Sequence, residues 1–156
     1  MRALVPVLLA ALLVASGCDS SDDAVALDGD YYVGTWDVVA LSDEDRDYTR
    51  VLNASFDEIT IAFRADRSFR LDADVSDIAD GSGAADFTTP GTYQAQPDVP
   101  ALVLTSRGIS ATLQASTLAS APDRVRLTAP AAAVNVLLQG LPFQPQGDVS
   151  IVIERL

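Results

Sequence analysis

Two strictly alternating segments one turn apart do most to limit what this 156-residue chain can become. In Glu58-Ile59-Thr60-Ile61-Ala62-Phe63-Arg64 and Ser68-Phe69-Arg70-Leu71-Asp72-Ala73 every second residue is apolar. Side chains of a strand alternate between its faces, so this period of two gathers Ile59, Ile61 and Phe63 on one side, and Phe69, Leu71 and Ala73 likewise. A helix would scatter them around its axis. The intervening Ala65-Asp66-Arg67 suits a hairpin turn. Further short segments at 34–41, 91–96, 101–105, 109–115, 124–128 and 149–155, set off by turn residues, raise the expected strand number to eight. The pattern predicts an all-β, antiparallel domain.

Two stretches break the period. Residues 72–90 collect Asp72, Asp74, Asp77, Asp80 and Asp86 with Gly81, Gly83 and Pro90, which predicts a long surface loop between the third and fourth strands. Residues 130–140 open with Pro130, run through Ala131, Ala132 and Ala133, and close with Gly140, the punctuation of a short helix before the last strand. Val134 and Val136 in that segment would also suit a strand.

The amino terminus has a different character. Met1-Arg2 precede an apolar run from Ala3 to Ala15, too short to span a bilayer but of the length and charge expected of a secretory signal. Ala15-Ser16-Gly17-Cys18 resembles the lipobox of bacterial lipoproteins. The resemblance implies cleavage after residue 17, diacylation of the Cys18 sulfur and acylation of the new amino terminus, which together anchor far better than one chain. It places the protein at the bacterial cell envelope, on the outer membrane, with no choice of leaflet. Residues 1–17 are then the signal, 18–30 the lipidated cysteine and an acidic flexible tether, and 31–156 the folded domain.

Cys18 is the sole cysteine, so no intramolecular disulfide can form and the domain must hold by packing. Charge is strongly one-sided: 19 aspartates and three glutamates face ten arginines, with no lysine or histidine, for a formal net charge of −12. Nucleic acid and anionic headgroups are poor partners for such a surface.

Tyr32-Val33-Gly34-Thr35-Trp36-Asp37-Val38-Val39-Ala40-Leu41 resembles the opening strand of lipocalin-like proteins, whose signature is Gly-x-Trp followed by alternating apolar residues. The resemblance spans residues 31–156 and implies an eight-stranded antiparallel up-and-down barrel of the lipocalin or calycin type. Gly34 would let the chain turn into the barrel, and Trp36, Val38 and Ala40 would point inward. Arg155, in phase with Val149, Ile151 and Ile153, would point inward and lie over Trp36 as a cation on a ring, completing a barrel floor of Gly34, Trp36 and Arg155.

The implied role is binding of a small hydrophobic ligand, with candidate lining residues Val38, Ile61, Phe63, Phe69, Leu71, Tyr93, Leu104, Leu113, Leu127 and Ile151. Ile59, Leu102, Ile109, Val125 and Ile153 belong to the same inward set. These bulky residues could equally fill an eight-stranded barrel outright, leaving a scaffold whose acidic loops meet other proteins. The small Ala40, Ala73, Ala95 and Ala111 argue for some remaining space. Both readings stay open at the level of sequence.

Enzymatic chemistry is not expected. There is no histidine base, no free thiol once Cys18 is acylated, and no serine in a Gly-x-Ser-x-Gly turn. No organic cofactor is implied, and zinc lacks its thiolate and imidazole ligands. Calcium needs only oxygen, so Asp72, Asp74, Asp77 and Asp80, and secondarily Asp43, Asp45 and Asp47, are weak candidates. Neither cluster matches an Asp-x-Asp-x-Asp-Gly loop.

Overall fold

Alternation propagates around the whole domain: each strand hydrogen-bonds to the one before it, and the last returns to the first. The computed structural model describes residues 27–76, 84–96 and 98–156. Its strands are β1 (Gly34–Ser42), β2 (Phe56–Phe63), β3 (Ser68–Val75), β4 (Phe87–Gln96), β5 (Ala101–Ser106), β6 (Ile109–Leu118), β7 (Ala121–Pro130) and β8 (Asp148–Arg155). Together they form a closed, all-antiparallel, up-and-down barrel with no free sheet edge at its seam. Helix α1 (Thr49–Ser55) joins β1 to β2, and α2 (Ala131–Leu137) precedes β8.

Local chemistry sets the turns. In the β2–β3 hairpin the Asp66 carboxylate accepts from the Ser68 backbone N–H at 3.0 Å and its hydroxyl at 2.6 Å, with Arg67 at φ +66°. Arg107 and Gly108, at φ +51° and +78°, make the tight two-residue turn between β5 and β6.

The interior follows the strand period. Trp36, Leu102, Val125 and Ile153 are fully buried, and Val38, Ile59, Ile61, Phe63, Phe69, Leu71, Tyr93, Leu104, Leu113, Leu127 and Ile151 are each at most 5% exposed. Two inward assignments of apolar residues are corrected. A bulge in β1 between Val38 and Ala40 against β8 inserts one residue and reverses the phase. Ala40 therefore faces out, and Leu41, with no exposed surface, takes the interior position. Ile109 has the right phase but stands beyond the rim at the first position of β6, where no neighbour covers it and half its surface meets solvent.

The loop expected over 72–90 is also shorter than its composition suggests. β3 continues to Val75 and β4 begins at Phe87, pairing Asp72 with Thr88 and Ala73 with Phe87. The inward position of β4 that conceals the period is Thr89, a polar residue whose hydroxyl donates to the Leu137 carbonyl at 3.0 Å. α1 was in no expected element. It lacks a side-chain cap and acidic residues in its first turn, and it holds by burying Leu52 and Ser55. The α2 segment forms its helix over seven of the eleven residues from 130 to 140.

Candidate functional site

The barrel interior and its two ends carry the residues singled out by sequence, and each end is closed in its own way. At the end where β1 begins, Gly34 adopts φ +137°, a conformation favouring glycine, and turns the chain into the wall. Two residues on, the Trp36 indole N–H donates to the Tyr32 carbonyl at 2.7 Å. The Arg155 guanidinium carbon sits 4.7 Å from the indole centroid and 5.3 Å from the Tyr31 ring, and Arg155 Nη2 donates to the Tyr31 carbonyl. Arg155 is itself exposed, so it caps the indole from outside and does not enter the barrel.

Aromatic rings extend this floor inward. Phe63 meets Tyr93 edge-on at 5.0 Å, Tyr32 at 5.8 Å and Phe69 at 6.3 Å between centroids. Burial and then neighbouring Tyr31 push the Tyr32 phenol above its ordinary range. The Tyr93 hydroxyl lies 2.9 Å from the Arg64 carbonyl and 3.1 Å from that of Gly29, and accepts from Arg67 at 3.3 Å. Leu27 packs on the core, and Arg67 pairs with Asp30 at 2.9 Å. Residues 27–30, read from sequence as tether, thus lie against the barrel floor.

Seven of the ten candidate lining residues converge on one central void: Val38, Ile61, Leu71, Leu104, Leu113, Leu127 and Ile151. Phe63, Phe69 and Tyr93 belong instead to the aromatic layer beneath it. The void measures only about 10 Å³. One water needs about that much space, and drug-sized ligands occupy about 300–1,000 Å³. Leu137 and Leu138, which complete its lining, are the reason: they enter from the far end and fill what the strands leave. Neither was nominated from the sequence. The signal available was their pairing with Val134 at helical spacing, three and four residues apart.

Polar latches hold that far end. Asp43 accepts from the Tyr48 hydroxyl at 2.8 Å and the Gln146 N–H at 3.0 Å, tying the β1–α1 turn to the approach to β8. The Gln146 bond first, then that of Tyr48, lowers its carboxyl to about 2. Tyr48 stacks on Phe143 at 4.4 Å. Arg107 donates to Gln139 at 3.0 Å beside α2.

These bonds bear on calcium. Asp43 spends both oxygens on protein donors, and Asp47 accepts from the Thr49 N–H. Asp72 is occupied by Arg70 and Thr88, and Arg70 is the larger cause of its lowered carboxyl pKa. Asp74 lies exposed on the outer face of β3, while Asp77, Asp80 and Cys18 fall outside the described residues. Among the described residues no three metal-ligating side chains come together, and no helix is long and apolar enough to cross a membrane. No protein-family model matches the chain, and no curated protein sequence matches it.

Proposed function

We propose that this chain is a lipid-anchored bacterial envelope protein whose barrel works as a solid, non-enzymatic scaffold. The observation carrying this reading is the central void of about 10 Å³, closed by Leu137 and Leu138. A carrier of the lipocalin-like kind needs an apolar space about 30 to 100 times larger. The apolar lining and the Gly34, Trp36 and Arg155 floor support a lipocalin-like ancestry, with the ligand's place taken by the chain's own leucines. The lipobox at Cys18 supports attachment to the outer membrane, where 27–30 would present the barrel with its floor toward the lipid.

Native mass spectrometry on the full chain, extracted from its membrane in mild detergent, tests both parts. The expected mass is that of the polypeptide beginning at Cys18 plus its acyl groups and nothing else. A further apolar mass released by organic solvent would make the barrel a carrier, and an unacylated mass would remove the anchor.

A further inference from the structure

We propose that the cleft where β1 and β2 part receives one arginine or lysine side chain from an extended, basic segment of a partner protein. The two strands pair over only four positions, from Gly34↔Phe63 to Asp37↔Thr60. Both run on beyond that point, β1 to Ser42 along β8 and β2 back to Phe56 along β3. The bulge after Val38 and a second register shift between Phe56 and Glu58 bend the strands away from each other. Leu52 of α1 and Phe56, both buried, stand at the point of divergence.

A cleft of about 190 Å³ results, lined by Asp37, Val39, Asn53, Asp57 and Glu58 among others. Val38 and Ile59 also border it although their side chains face the core, so backbone forms part of its wall. The return of the chain at Tyr48 and Thr49 bonds the N–H and carbonyl of Leu41. The stretch 38–40 keeps β8 as its ladder partner and has none on the β2 side.

Charge and size choose the occupant. Three carboxylates and no cation line the cleft, and none of the three ion pairs among the described residues involves them. An anionic or acidic partner is repelled there, while a cation is drawn in. The volume falls below the roughly 300 Å³ of ordinary small-molecule pockets, which suits one long side chain. An extended segment brings what the strand edges lack, since its backbone can hydrogen-bond along β1 as an added strand while its cation meets the carboxylates.

The test is a titration of the ¹⁵N-labelled full chain, in detergent micelles, with the tripeptide acetyl-Val-Arg-Val-amide. Amide shifts are expected at 37–40 and 57–59, fading as salt screens the pair. The double variant Asp57→Asn, Glu58→Gln should weaken binding by about fivefold while keeping the parent spectrum elsewhere and the parent melting temperature. Absence of shifts at these amides overturns the proposal, as does an equal response to acetyl-Val-Glu-Val-amide. Agmatine shifting the same amides as strongly as the peptide would also overturn it, since the site would then read a free guanidinium cation and not a chain.

Discussion

The two ends of the barrel solve one problem with different materials. The floor is closed by rings already in the wall or beside it, Trp36, Phe63, Phe69 and Tyr93 from the strands with Tyr31 and Tyr32 just ahead of β1, and fixed by directional contacts to Arg155 and backbone carbonyls. The far end is closed by two seven-residue helices that leave the strand path, and its innermost plug is aliphatic, Leu52, Val134, Leu137 and, just past the second helix, Leu138, with the Tyr48–Phe143 and Phe56–Phe87 ring pairs around it. A ring held in a strand is positioned by every ladder bond around it. A leucine on a seven-residue helix is positioned mainly by what it buries, because so short a helix is marginal by itself. The floor should therefore fail only with the whole barrel, and the far end should be able to open by itself.

Trp36→Ala is the largest break. It removes a fully buried indole, its bond to Tyr32 and the surface under Arg155, and should cost about 3–5 kcal/mol. Urea unfolding followed by far-ultraviolet circular dichroism should remain one transition at a lower midpoint. Leu138→Ala at the other end should cost less, about 2–3 kcal/mol, toward the lower part of the range for leucine truncations. Its signature is local: amide exchange should quicken in 131–138 with little change in β2 and β3, and the enlarged void should accept a small apolar molecule such as benzene. Exchange accelerating equally in all strands would erase the contrast between the ends.

That contrast also explains what could be read without the structure. Where the chain obeys one period, burial follows by counting, as from Ile59 to Leu71; the meeting of Trp36 and Arg155 follows only from the lipocalin-like resemblance, and the count by itself turns inward an Arg155 that lies exposed. The reading fails wherever the period is reset or left. One inserted residue at Val39 exchanges the roles of Ala40 and Leu41, and nothing in Val38-Val39-Ala40 marks the bulge. Thr89 interrupts the apolar phase of β4 because its partner, the Leu137 carbonyl, is 48 residues away. The filled interior was hidden for the same reason. Leu137 and Leu138 decide it, and their depth depends on where the approach to β8 folds back, a long-range matter held by Asp43 and Gln146.

Arg155→Ala sharpens the floor by separating its cation from its rings. The guanidinium is exposed, so its contact with the indole should contribute only about 0.5–1 kcal/mol. Trp36 emission should shift as the cation leaves the ring face. Arg155→Lys keeps the charge but not the planar fork that reaches both the ring and the Tyr31 carbonyl. It should recover only part of the emission change. Emission identical to the parent in both variants would mean the arginine does not sit on the indole in solution.

The smallest effects come from pH, and the two ends should respond at opposite limits of the scale. At the far end the Asp43 carboxyl is lowered to about 2 by the Gln146 and Tyr48 bonds, so the folded state holds its charged form. Its contribution is complete above the ordinary carboxyl range near 4 and is lost as pH falls toward 2, because the unfolded chain takes up the proton first. At the floor the Tyr32 phenol is raised by burial, so the folded state holds its neutral form. That contribution is complete below about 10 and declines above it, where the unfolded tyrosine ionises and the folded one does not. Melting curves should accordingly lose an acid-dependent component in Asp43→Asn and an alkaline one in Tyr32→Phe, each variant leaving the other limb unchanged. Exchange measured near pH 2 on the parent chain should then quicken first around 43–48 and 144–147, while the amides of Tyr32 and Trp36 stay protected. Simultaneous loss of protection at both ends would show that acid acts on the barrel as one cooperative unit, and that the aliphatic seal is no weaker than the aromatic floor.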